Sequence, residues 1–165
     1  MRTRRGFLAA ALSVGAGCRS TNADIGEVVN MADPGMESQL LRGFHQVEEG
    51  GWRWTQSKFA VALKPPRKSE SGGAVLVVVY SVPDGSLAQL KEITISASIN
   101  GLALQEEKCS TGGRKEIRRE VPGSALKGKD VALVEFSVSP FLAPTATDKR
   151  ELGIIVLSVG LVKKA

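Results

Sequence analysis

The segment GFHQVEEGGWRWT, Gly43 to Thr55, gathers the chain's single His, both of its Trp, two Glu and an Arg. Aromatic faces beside charged hydrogen-bonding groups suit a sugar, whose C–H face stacks on a ring while its hydroxyls take hydrogen bonds. On a strand, Trp52 and Trp54 project to one face and form a flat platform, with Glu48, Glu49, Arg53 or His45 supplying bonds to hydroxyls. The competing assignment seats at least one Trp at the end of a hydrophobic core, where Trp commonly packs. It also makes His45 a hydrogen-bonded structural residue. A second cluster, TATDKRELGIIV, places Asp148, Arg150 and Glu151 just before an apolar run. Arg150 can pair bidentately with Asp148, Glu48 or Glu49 and fix this loop against the GWRWT segment; the same charges can instead surround a ligand.

Bond-breaking chemistry has less support. A glycosidase needs two carboxylates facing one bond, about 5 to 10 Å apart, and nothing in the spacing of Glu48, Glu49, Asp148 and Glu151 requires that. The nucleophile motif Gly-x-Ser-x-Gly, a phosphate loop and a metal-binding His pair are all missing. One His and two Cys do not make a usual structural zinc site. The sequence therefore points to a non-enzymatic binding module with no metal and no cofactor.

The elements that must position these residues are β throughout from Leu40. Phe59, Val61 and Leu63 alternate with other residues until Pro65-Pro66 stops the run. GGAVLVVVYSVP, a nearly continuous apolar run, reads as a strand buried on both faces or at a sheet centre. In EITISASINGLALQEEK, Ile93, Ile95, Ala97 and Ile99 alternate with polar residues, and Asn100-Gly101 supplies the positive-φ pair of a tight hairpin. Leu102 and Leu104 continue on the return strand. GGRKEIRREVP is a polar strand suited to an edge. DVALVEFSVS and ELGIIVLSVGLV are two more strands, the last apolar enough to sit centrally. No segment beyond the N-terminus has a good 3.6-residue period. Seven or eight strands separated by turns make an all-β antiparallel sandwich of jelly-roll type; a closed barrel is the alternative.

At the N-terminus, Arg2, Arg4 and Arg5 precede the uncharged run Gly6–Gly17. That run falls short of the roughly 20 residues that cross a bilayer and has the length of a signal-peptide core. Thr3-Arg4-Arg5-Gly6-Phe7-Leu8-Ala9 resembles the twin-arginine export signal. Gly15-Ala16-Gly17-Cys18 resembles a lipoprotein processing site, in which the Cys18 thiol receives the lipid; Gly15 departs from the apolar residue usual there. Cleavage after Ala16 would release a soluble periplasmic or secreted protein instead. These patterns divide the chain into a signal at 1–18, a tether at 19–38 with a short strand at Glu27–Met31, and a β-sandwich domain at 39–165. The domain is thereby expected to be anchored in the cell envelope, on the periplasmic side or at the outer membrane. Arg19 after Cys18 does not argue for retention at the inner membrane.

Charge excludes one class of partner. The formal net charge is +5, but removing the signal takes away Arg2, Arg4 and Arg5 and leaves both signs interspersed. No basic stripe with interleaved aromatics marks a nucleic-acid surface. With Cys18 lipidated, Cys109 has no disulfide partner and reads as a small strand residue near a turn.

GFHQVEEGGWRWT, ITISASING, Val121-Pro122, VEFSVS and DKRELGIIVLSVGL occur in the same order as in a little-characterised β-sandwich module, which the chain resembles over residues 43–162. Such modules occur beside bacterial glycosyltransferases and other surface-polysaccharide proteins, often with a Gly-aromatic-x-x-Glu, Trp and Asp-x-Arg-x-Leu-Gly pattern. The resemblance implies glycan-related binding and brings no catalytic residues. Here the module stands alone behind an export signal. The sequence thus nominates Trp52, Trp54, Glu48, Arg53, Asp148 and Arg150 as ligand-binding residues. The competing function is a structural envelope lipoprotein docking on a protein partner; a small hydrolase is a third.

Overall fold

A computed structural model describes residues 25–164. The export signal with Arg4 and Arg5, and the lipidation residue Cys18, lie outside the described residues. Ten strands follow in chain order: β1 (Val28–Asn30), β2 (Leu40–Val47), β3 (Arg53–Leu63), β4 (Ala74–Val82), β5 (Ile93–Ile99), β6 (Leu102–Ala103), β7 (Glu107–Cys109), β8 (Gly113–Val121), β9 (Ala132–Ser139) and β10 (Ile155–Lys163). Every pairing is antiparallel. The all-β antiparallel sandwich expected from the sequence is what the structure has. β1 falls within the short strand expected at Glu27–Met31 and β6 carries Leu102 of the expected return strand, while β7 is too brief to carry a period of its own.

Strand β3 joins the two layers. Its C-terminal part, Lys58–Leu63, pairs with Ser137–Ala132 of β9, whereas Trp54 and Arg53 pair with Ile155 and Val156 of β10. One layer is thus β2-β3-β9-β5, continued by β6 and β7; the other is β10-β4-β8, with β1 on the free side of β10. Inward side chains from both layers form one core that includes Phe59, Val61 and Phe136 from the first and Leu76, Tyr80 and Leu161 from the second. Phe59 stacks on Phe136 with ring centroids 4.6 Å apart and takes the edge of Phe44 at 5.3 Å. β10 does sit centrally, between β4 on one side and β3 and β1 on the other, and the charged β8 is an edge strand. Asn100 (φ 48°) and Gly101 (φ 85°) form the tight turn between β5 and β6.

Three expectations are corrected. The tether does not extend to residue 38. Val29 and Met31 are buried, and Gln39 is sealed into the fold, its Nε2 donating to Ala62 O (2.8 Å) and its Oε1 accepting from Gly26 N (3.0 Å). The domain boundary at 39 is too late by a strand and two turns of 3₁₀ helix (Pro34–Gln39), capped by Asp33. Two short helices, α1 (Ser69–Gly72) and α2 (Asp84–Leu90), occupy connections where no helical period was visible; they have too few turns to show one. Finally, neither Trp joins the core. Cys109 is a buried free thiol at the end of β7, as a small strand residue near a turn would be.

Candidate functional site

The alternation of β3 sets the site. Arg53 and Thr55 are buried, and Trp54 between them takes the other face; Trp52, just before the strand, lies over Gly50, where a Cβ would meet its Nε1 at 2.2 Å, and both Trp remain half-buried at the surface. Glu48 faces Trp52 across the β2–β3 turn, where Glu48 N donates to Trp52 O (2.9 Å). Thr55 then anchors the start of β10: its N donates to Ile154 O (2.8 Å), its O accepts from Gly153 N (2.7 Å), and its Oγ1 accepts from Ile154 N (3.1 Å). Gly153 permits this approach, because a Cβ there would lie 2.6 Å from Gln56 O. The loop carrying Asp148 and Arg150 is drawn against the tryptophan hairpin by these bonds.

Arg150 closes the corner. Its Nε and Nη2 donate to both oxygens of Asp148 (3.0 and 2.9 Å), and its Nη1 donates to Glu48 Oε1 (3.0 Å). This is the bidentate pairing expected from the sequence, and it reaches Glu48 as well. The hydrogen bonds from Arg150 hold Asp148 down to about 2 from an ordinary 3.8, and the two carboxylates raise Arg150 further above its usual range. Asp148 is therefore ionised throughout the neutral range. Glu151 serves the fold instead. Its Oε1 accepts from Ser57 N (2.7 Å), which lowers its pKa, and its carbonyl accepts from Nε2 of His45 (2.7 Å). His45 is a hydrogen-bonded structural residue.

Arg53 stands apart from the Asp148–Arg150 groove and lines a different depression, with Glu37, Arg42 and His45. Its side chain is 7% exposed and is held by Glu37 Oε1 (2.6 Å), Met31 O (3.3 Å) and His45 O (3.2 Å). The period of two that puts Trp54 on the surface turns Arg53 the other way.

The residue that sequence reasoning missed is Phe141. On the far side of Asp148 and Arg150 lies a groove of about 510 Å³, whose apolar wall includes Leu90, Phe141 and Pro144 and whose polar wall includes Gln89, Asp148 and Arg150. Phe141 is 37% exposed there. The available signal was the length of the β9–β10 connection, since long loops in compact domains tend to be functional. The loop is internally tied: Leu142 and Leu152 exchange backbone bonds (2.9 and 3.0 Å), and Asp148 N donates to Thr145 Oγ1 (3.0 Å). A second, shallower groove of about 360 Å³ on the outer face of the β3-β9-β5 layer is lined by Lys58, Ser96, Ser98, Ser137 and the Arg42–Glu135 ion pair; its one aromatic, Phe136, is buried beneath it. Among the described residues, no three His, Cys, Asp or Glu side chains gather closely enough to hold a metal ion.

No family model matches this sequence, nor does any curated protein. Among solved structures, the mannan-recognising carbohydrate-binding module TmCBM27 is 16% identical, covering 86% of this chain and 98% of its own, with a TM-score of 0.48. The CBM36-1 domain of a xylanase from the hindgut metagenome of Trinervitermes trinervoides is 12% identical, covering 81% of this chain and 94% of that one, at 0.42. A 4-O-methyl-α-glucuronidase with specificity for decorated arabinogalactans, BtGH115A, matches all of this chain at 9% identity and 0.46, and the chain spans a fifth of that enzyme's length. Likenesses of this depth carry no ligand across.

Proposed function

We propose that this chain is an exported, lipid-anchored, non-enzymatic module that binds cell-envelope carbohydrate. The observation that carries the reading is one corner of the fold: Trp52 and Trp54 are half-buried at the surface around the start of β3, Glu48 bonds Trp52 O through its N and accepts from Arg150, and Arg150 and Asp148 line a groove with Phe141. Flat apolar rings next to hydrogen-bonding groups already held in place match a pyranose, which has an apolar face and a rim of hydroxyls. Pre-ordered charges cost little to organise on binding. Asp148, held ionised by Arg150, has no proton to give a leaving group and so is not suited to the general-acid role, and Glu151 is engaged by Ser57 N.

The test is calorimetric titration of the protein with envelope polysaccharides, alongside Arg150→Ala and Phe141→Ala variants. Saturable heat that both variants weaken at least about tenfold, the loss expected of a well-placed contact of about 1.4 kcal/mol, supports the reading. Heat unaffected by either variant contradicts it. Export and anchoring rest on the Arg4-Arg5 and Cys18 patterns; Cys18→Ser is expected to release the protein from membranes, and continued membrane association would oppose the anchor.

The alternative function, docking on a protein partner, is favoured by a single observation. β2 is an edge strand, paired only with β3, and exposes Leu41 (51%) and Val47 (46%). Charged substitutions at these two positions should disrupt a protein complex and leave glycan binding unchanged.

A further inference from the structure

The tryptophan corner and the point where the chain leads back to Cys18 lie at opposite ends of the sandwich. β10 starts at the corner with Ile155 and ends at Lys163, a run of about 27 Å at the usual strand rise. At that far end Gly26 O accepts from Lys64 N (2.9 Å) and Glu27 O accepts from Leu161 N (2.8 Å), so the entering chain is fixed there. Ile25 is seven peptide links from Cys18, a length that spans at most about 25 Å. A lipid on Cys18 would keep this end within about 25 Å of the bilayer.

The chemistry of this end suits that neighbour. Arg67, Lys68 and Lys163 are exposed and, with Glu27 and Pro66, line a depression of about 410 Å³. Lys64 stands beside them at the end of β3, and Lys127 and Lys129 precede β9 at the same end. Of the acids there, Glu120 is taken up by Lys164 (2.8 Å), which leaves Glu27, Glu70 and Asp130 against a larger number of cations. Exposed apolar side chains stand among the lysines: Leu102 (42%), Val131 (40%) and Leu133 (37%) surround the Asn100-Gly101 turn, which is locked to Leu133 by two bonds of 2.9 Å. Cations interspersed with apolar groups favour the headgroup region of an anionic membrane.

We propose that this end of the sandwich rests on an anionic phospholipid surface and so holds the tryptophan corner outward, away from the membrane. The orientation rests on the anchoring at Cys18 proposed above; the affinity of the surface for lipid does not. The test sediments the unprocessed full chain with vesicles of phosphatidylcholine alone and of phosphatidylcholine mixed with phosphatidylglycerol. Arg67→Glu/Lys68→Glu/Lys163→Glu is compared with the matched reversal Lys108→Glu/Arg114→Glu/Arg118→Glu on β7 and β8, and circular dichroism checks that each variant keeps its β signal. The Arg2, Arg4 and Arg5 cluster is common to all three proteins. The first reversal is expected to lower partition onto the anionic vesicles by about tenfold or more, the second to leave it within about twofold, and added salt to weaken the parent's binding. Equal partition of parent and first variant, or an equal loss in both variants, would overturn the proposal. Alanine in place of glutamate at the same three positions should give a smaller loss in the same direction; no loss would also count against it. Because the unprocessed chain carries no lipid, failure of the anchor in cells and failure of the surface on vesicles are read separately.

Discussion

Arg53 and Arg150 stand at the same corner, and each reaches a glutamate from a neighbouring segment, Glu37 in one case and Glu48 in the other. The side chain of Arg53 is 7% exposed and that of Arg150 is 40% exposed. Burial changes what the same ion-pair chemistry does. Arg53 has exchanged its water for two carbonyls and a carboxylate, so it ties the 3₁₀ turn and β2 to β3. Removing it would orphan buried acceptors. Arg150 is still wet, its pairs are screened, and their contribution to stability is small. What Arg150 gains from Asp148 and Glu48 is a fixed direction, which benefits a ligand more than the fold.

The largest expected effect lies on the buried side of this contrast. Arg53→Ala should cost about 2–4 kcal/mol in urea unfolding, and an unchanged midpoint would mean that Arg53 is not the latch described. Gly153→Ala should follow at about 1–3 kcal/mol, since its Cβ would press on Gln56 O and Thr55 Oγ1; a neutral result would show that the β3–β10 junction yields easily. Arg150→Ala is expected to leave the urea midpoint nearly unmoved while lowering glycan affinity, the reverse of Arg53→Ala. A variant that loses stability and affinity together would erase the distinction between the two arginines.

The smallest effect concerns pH. Asp148 has a depressed pKa in the folded protein, so what its pairing contributes is fully present above the ordinary value of 3.8 and is lost as pH falls through about 2. Nuclear magnetic resonance of the Arg150 Nε–H should therefore report a paired guanidinium at pH 5 and its release only toward pH 2. Release at pH 4 would mean that the pairing is weaker than its geometry implies.

Much of the fold was legible in the residues, and the omissions have physical causes. The period of two in β3, the Asn100-Gly101 turn and the apolar run of β10 each express local geometry, and each appears in the structure where it was expected. The Asp148–Arg150–Glu48 cluster was legible because a bidentate arginine needs only side chains of the right type on adjoining loops. The burial of Arg53 was legible in its spacing: the residue next to a surface Trp54 on a strand takes the opposite face. The burial of Gln39 was hidden in a polar, aperiodic stretch, because it depends on a tertiary partner, Ala62, far along the chain. Phe141 was hidden for the same reason. Nothing local distinguishes it from any loop aromatic until the β9–β10 connection folds it opposite Asp148 and Arg150.

Glycan binding at the tryptophan corner is tested most directly by tryptophan emission, because the chain's two Trp both lie at the proposed platform. Emission is recorded from the full chain as envelope polysaccharides are added, then repeated with Trp52→Ala and Trp54→Ala. The expected result is emission accessible to a soluble quencher, a saturable shift with the bound glycan, and loss of that shift in at least one variant. Blue, quencher-resistant emission that no envelope glycan alters would contradict a sugar platform at this corner.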